Sequence, residues 1–189
     1  HLAAVGLVDH HVHSTFTAPV TRARFEEAIN EGSHDPIPPW MTQFDSQLGF
    51  AIRAFCAPLL DLEPHTPTDD YWARRVELGE AEVAGRLLRS VGVSDWLVDT
   101  GYKGSELAPF REVGTISGGA VHEIVRLESL AELVATTGCT AGGYADAFRS
   151  ALSDATSGAV GTKTIAAYRT GLDIDWARPT DAAVTAAAG

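Results

Sequence analysis

The alternation of apolar and polar positions changes character along the chain. Val5, Leu7 and Val8 lead into a short predicted strand, Leu7 to His13, that turns polar at its end. From Thr21 to Val91 the spacing is helical. Phe25, Ala28 and Ile29 form one stripe. Asp45 or Ser46 is a suitable N-cap for a second helix, predicted to bury Leu48, Ile52 and Phe55 and to stop near Pro58. Thr68 is placed to cap a third, with Trp72 and Val76 inward. A fourth carries Val83, Leu87, Leu88 and Val91 and meets Gly92, a natural residue to follow a helix end. Pro36 to Pro39 and Pro64 to Pro67 separate these helices.

After Gly92 strand and helix signals alternate. Trp96-Leu97-Val98 is a short apolar strand ending at Asp99. Val121 to Leu127 is the next. Ser129 is a candidate cap for a helix with Leu130, Leu133 and Val134, and another helix presents Tyr144, Phe148 and Leu152 on one face. Ala159 to Ala167 reads as a fourth strand, ending at Tyr168-Arg169, and a last helix starts after Pro179.

Strands separated by helices imply a parallel sheet with right-handed crossovers. Reactive side chains stand at each strand end: His11 and His13, then Asp99, then Arg126 and Glu128, then Lys163 and Arg169. That arrangement is typical of a (β/α)8 barrel enzyme of the TIM type. Only about the first four βα units are represented, with a helical insertion after strand one (about 21–91), whereas a whole barrel needs about 250 residues. The expectation is one half of such a barrel over residues 1–189, either a truncated product or part of a larger assembly.

Composition narrows the function classes. The chain has 189 residues, 45% hydrophobic and 21% charged, which suffices for a sizeable core. With 14 Lys+Arg against 25 Asp+Glu the formal charge is −11, a surface that repels a phosphate backbone; no basic patch offsets it, so nucleic acid is excluded as a partner. No run approaches the ~20 apolar residues of a membrane span. Two cysteines, Cys56 and Cys139, lie far apart without metal-type spacing and read as reduced thiols. No basic stretch precedes an apolar one near His1-Leu2, and a cytoplasmic location is expected.

The run Val8-Asp9-His10-His11-Val12-His13 carries the candidate chemistry. On a regular strand Asp9, His11 and His13 share a face, and His10 and Val12 take the other. Two imidazoles so placed can converge on one cation at about 2.0–2.1 Å each. Asp9, one step deeper, is better placed to orient a ligand than to bind the ion. A His-x-His pair alone is a weak signal. Here an apolar strand leads in, an acid sits two residues before, and a βα series follows; the bland reading is an exposed pair with no ligand. Two ligands do not complete a catalytic zinc site, which takes about three plus water.

Asp9-His10-His11-Val12-His13 resembles the Asp-x-His-x-His signature that opens the amidohydrolase superfamily of metal-dependent (β/α)8 barrels. Further segments resemble the actinobacterial branch of its amidohydrolase-2 family, related to the nodulin-like domain fused to some glutamine-synthetase-like proteins. These are Phe44-Asp45-Ser46-Gln47-Leu48-Gly49, Phe55-Cys56-Ala57-Pro58, Leu97-Val98-Asp99-Thr100-Gly101, His122 to Glu128 and Lys163 to Leu172. The likeness runs along essentially all 189 residues. It implies metal ligation by His11 and His13. Zinc is the default ion for imidazole ligands, with manganese or iron as alternatives. The superfamily's further ligands, histidines on strands five and six and an acid on strand eight, have no counterpart among these segments.

Lys163 and Asp99 are the candidate catalytic side chains. Lysine on strand four of binuclear members is carbamylated and bridges two metals; a plain ammonium facing a substrate carboxylate, or a structural lysine with a solvated head, are the other readings. Arg126, Glu128 and Arg169 are candidates for binding an anionic group, against a simple strand-end ion pair. His34, His65 and His122 are expected to be solvated or structural. The implied activity is hydrolysis of a small, anionic substrate by a metal-activated water attacking a carbonyl; related barrels also catalyse decarboxylation or sugar-acid isomerisation. Besides that substrate, the expected partner is a second copy of the chain or a complementing C-terminal half. Asp9 to Thr17 also looks like the opening of polymerase-and-histidinol-phosphatase-type phosphoesterases, although no second Asp-His motif occurs between Thr21 and Val91. A non-catalytic half-barrel is the remaining alternative.

Overall fold

A computed structural model describes residues 5–30, 35–102, 104–175 and 177–189. Four parallel strands run in sequence order: β1 (Leu7–Val12), β2 (Val93–Asp99), β3 (Ala120–Arg126) and β4 (Gly161–Lys163). Together they form a curled half-barrel in an α/β fold. Parallel neighbours require crossovers, and helices supply them. The first is the long helical region: α1 (Arg22–Ile29), α2 (Gln47–Ala51), α3 (Thr68–Leu78) and α4 (Glu80–Ser90). Then come α5 (Phe110–Ser117) between β2 and β3, α6 (Leu127–Ala135) and α7 (Tyr144–Thr156) between β3 and β4, and finally α8 (Ala166–Arg169) and α9 (Asp181–Ala188).

Two apolar clusters hold these layers. Trp96 and Val98, alternate residues of β2, pack with Val113 of α5, joined by Val12, Leu88, Phe110 and Val121. The helical region has its own core of Phe44, Ala57, Leu60, Tyr71 and Val83. Val5, Leu7 and Val8 remain more than half exposed at β1, the first strand of the sheet among the described residues.

Helix phases in this region differ from expectation. Ser46 does cap α2, accepting from Gly49 N at 3.1 Å. The chain then winds as a π-helix over Ile52–Cys56, with Ala57 N reaching Ile52 O. That wider turn breaks the 3.6-residue period on which the expectation rested. Ile52 packs on the core, but Leu48 (51% exposed) and Phe55 (75%) face outward, and Phe44 takes the buried place. In α3 the inward residues are Tyr71 and Arg75, and Val76 is 63% exposed. Arg75 is tolerated inside because Glu80 pairs with it at 2.9 Å and the Phe25 ring lies under its guanidinium. Trp72 packs against Phe25, with ring centroids 5.5 Å apart.

Three further differences lie nearer the strand ends. Helix α5 forms between β2 and β3, where the sequence pattern predicts no element. Ser129 does not cap α6, which begins at Leu127; its hydroxyl lies inside the helix and donates to Gly101 O at 2.9 Å. The fourth strand has three residues instead of nine. Glu128 explains the early stop: its carboxylate accepts from the Thr164 hydroxyl and, at 3.0 Å, from Ile165 N. These bonds draw the backbone out of the ladder, and α8 follows, so Tyr168 and Arg169 sit on a helix.

Candidate metal centre

The site gathers where the strands end. His13 follows β1, while Asp99, Arg126 and Lys163 are the last residues of β2, β3 and β4. Residues at equivalent heights of adjacent parallel strands meet there, Arg126 being in register with Lys163 and Val12 with Val98.

Strand β1 is irregular where its histidines begin. Asp9 is in register with Trp96 and Val12 with Val98, so three residues on β1 span two on β2. An extra residue of this kind is a bulge, and it re-aims side chains. It separates Asp9 from the His11/His13 face on which strict alternation puts it. The Asp9 carboxylate accepts from His11 N at 3.1 Å and so fixes the local backbone instead of touching an imidazole ring.

One ligand atom each from His11, His13 and Asp99 lies within 4.8 Å of the others, the one such group of three among the described residues. The two rings are 5.7 Å apart and nearly perpendicular. His13 is half-buried. Its Nδ1 lies 3.4 Å from Asp99 O and 3.8 Å from Asp99 Oδ2, and Tyr102 stacks on its ring at 4.3 Å. Burial pushes the His13 pKa below the ordinary imidazole value, against the raising influence of Asp99.

Asp99 is 3% exposed. Burial alone would raise its pKa, but hydrogen bonds from Arg126, Gly101 N and Lys163 outweigh it, and the carboxyl is held below the usual carboxylate range. Oδ1 accepts from Gly101 N at 2.9 Å. Oδ2 accepts from Arg126 Nε at 3.1 Å and from a second Arg126 nitrogen, and Lys163 Nζ stands 3.1 Å from it. Lys163 Nζ is also 2.9 Å from His11 Nε2.

Beside Asp99 opens a cavity of about 350 Å³, lined by Ser14, Thr100, Tyr102, Phe110 and Glu123 among others. Its rim is stitched together: Phe16 bridges Leu107, and Ala108 N donates to Thr15 O at 2.8 Å. The Ser14 hydroxyl is buried with no hydrogen-bond partner, a free donor at the rim.

The structure thus brings His11, His13, Asp99, Lys163 and Arg126 together. Glu128 is engaged with Thr164 and Ile165, and Arg169 pairs with Glu132 at 2.9 Å. His122 pairs with Asp95 at 3.0 Å, and His65 takes a left-handed conformation in a turn. His34 lies outside the described residues. Both cysteines are free and partly buried. Sequence reasoning missed Tyr102; its place three residues beyond Asp99, the end of β2, was the available signal.

No family model matches the chain, and no curated protein does. A crystal structure from Lactobacillus casei ATCC 334, a protein named "putative metal-dependent hydrolase", superposes with a TM-score of 0.64 at 24% sequence identity. The likeness covers 92% of this chain and 46% of that one, so the chain spans about half of that structure's length. The similarity is one of fold. No helix among the described residues is long and apolar enough to cross a membrane.

Proposed function

We propose that this chain carries the metal-binding half of a metal-dependent hydrolase of the amidohydrolase superfamily, built on a (β/α)8 barrel and acting on an amide or ester of a small anionic substrate. The observation that carries the reading is the convergence of His11, His13 and Asp99 at the strand ends. Two imidazoles and a carboxylate are the donor set of many hydrolytic zinc sites, so these residues fit a divalent ion, zinc first and manganese or iron next. Such an ion, when bound, lowers the pKa of water and polarises a carbonyl oxygen. The name of the Lactobacillus casei protein agrees with this reading.

The chain's own groups prepare the site. Burial favours the neutral form of the His13 imidazole, whose nitrogen lone pair can take a cation. Arg126 and Gly101 N keep Asp99 ionised and fix its carboxylate plane. Tyr102 covers one face of His13 and shields it from water. Lys163 brings a positive charge to the mouth, where a substrate carboxylate would be attracted.

The test is hydrolysis of carboxylate-bearing amides and esters beside their neutral analogues, with and without zinc. Zinc-dependent turnover that favours the carboxylates and disappears in His11→Ala supports the proposal. Turnover untouched by chelator and by His11→Ala contradicts it.

A further inference from the structure

The position a cation would take in this centre is filled by the protein itself. Lys163 Nζ stands 2.9 Å from His11 Nε2 and 3.1 Å from Asp99 Oδ2, touching two of the three candidate ligands. Arg126 already binds the same Asp99 oxygen, so one carboxylate faces two full positive charges. A divalent ion among these donors would meet an ammonium at close range in a partly buried place, where like charges repel far more than in water. The conflict is also one of lone pairs. A neutral imidazole offers one acceptor nitrogen, and His11 Nε2 cannot both accept a hydrogen bond from Lys163 and ligate an ion.

We infer that Lys163 is a built-in competitor for the metal: its ammonium occupies the place among His11 and Asp99 that an ion would take and swings out when an ion binds, so that this side chain sets the affinity. The inference rests on the reading of His11, His13 and Asp99 as a metal site. The local structure suits such movement. Glu128 anchors the backbone just beyond Lys163 through Thr164 and Ile165, while the lysine has a flexible four-carbon stem and a side chain 21% exposed, with solvent to move into. Arg126 stays behind as the fixed partner of Asp99, its side chain 9% exposed.

Two measurements on the full chain test this. Zinc affinity by titration calorimetry is compared between the unmodified chain and Lys163→Met, which keeps the length and removes the charge. Tighter binding by about tenfold or more in the variant is expected from loss of a like charge at contact range. Separately, acetic anhydride labelling of Lys163 in the unmodified chain is followed by peptide mass spectrometry. Saturating zinc is expected to raise it several-fold as the amine leaves its partners. Equal or weaker zinc binding in a folded Lys163→Met overturns the inference while leaving the metal site standing, with lysine as ligand or bystander. Labelling that falls or stays constant on zinc binding overturns it too, and decides the matter if the variant does not fold. If neither folded protein binds zinc, both the inference and the metal reading fail.

Discussion

Arg126 reaches from the end of β3 to the end of β2 and holds Asp99 Oδ2 with two of its nitrogens, Nε at 3.1 Å. Both side chains are nearly buried, so the pair is worth most as a constraint: it keeps a carboxylate ionised and aimed at the mouth of the half-barrel. Arg126→Ala removes one partner of a buried ion pair. The expected loss is about 3 kcal/mol of unfolding free energy, the low end for an orphaned buried charge because Lys163 remains at 3.1 Å. Urea denaturation measures it; a change within experimental error would show that Asp99 does not depend on this arginine.

Acid sensitivity follows from His13. Its folded pKa lies below the ordinary 6.5, so the unfolded chain takes up the proton first as pH falls. The neutral imidazole therefore contributes stability that is complete above 6.5 and lost below it. Asp99 acts the same way in a more acidic window: its depressed pKa gives stability above the ordinary 3.8 that is lost as pH falls through the folded value. Melting temperatures between pH 7.5 and about 5 are expected to fall less steeply in His13→Gln than in the unmodified chain. Parallel slopes would place the acid-sensitive group elsewhere.

The helical region rests on one close approach. A Cβ at Gly49 would come within 2.2 Å of Gln43 O and 2.4 Å of Phe44 Cα, backbone atoms that cannot step aside. In an exposed helix Gly→Ala stabilises by up to ~1 kcal/mol. Here the sign reverses, and Gly49→Ala is expected to cost about 3 kcal/mol by thermal or chemical denaturation. A stabilised variant would mean that the Gln43–Asp45 turn does not pack on α2 as described.

Glu26 anchors the same region from the other side. It is nearly buried and accepts from the Thr42 hydroxyl at 2.7 Å, Gln43 N at 2.8 Å and Arg22 Nε at 2.9 Å. Burial alone would raise its pKa, but these donors hold it below the usual glutamate range. Glu26→Ala leaves the Thr42 and Gln43 donors without their acceptor, and a loss of about 2 kcal/mol is expected in urea unfolding. A neutral result would show that water replaces the carboxylate at no cost.

Much of this architecture was legible from periodicity. The strand ending at Asp99 is marked by its short apolar run, the reading of Val121 to Leu127 as a strand overlaps β3, and the helix carrying Val83 is marked by its stripe and the Gly92 stop. What escaped has local causes. The π-turn at Ile52–Cys56 leaves no mark in a 3.6-residue pattern, and Phe55 within it faces solvent; Leu48, one turn before Ile52, also faces solvent, while Phe44 fills the buried place. The fourth strand is shorter than its sequence pattern implies because Glu128, 35 residues before Lys163 in sequence, ends it through Thr164 and Ile165. At the site, strand alternation suggested that His11 and His13 share a face, and the structure places them together with Asp99. The bulge that separates Asp9, the contact between Lys163 and His11, and the stacking of Tyr102 on His13 are tertiary facts with no local signature.

Tyr102 gives a test that separates positioning from bulk stability. Its ring stacks on His13 and lies under the Arg126 guanidinium, 5.5 Å from the ring centre. Tyr102→Phe keeps both contacts, and Tyr102→Ala removes them. Zinc affinity is expected to hold in the first and to drop about tenfold in the second, the order of loss seen when a group orienting a ligand is removed. Equal affinity in both variants would show that His13 needs no such support.

The proposed site holds one divalent ion between His11, His13 and Asp99. Metal content after dialysis against zinc, measured by plasma mass spectrometry on the full chain and on the folded double variant His11→Ala/His13→Ala, tests it most directly. About one equivalent in the first and none in the second is the predicted result. Zinc bound equally by both, or by neither, would contradict it.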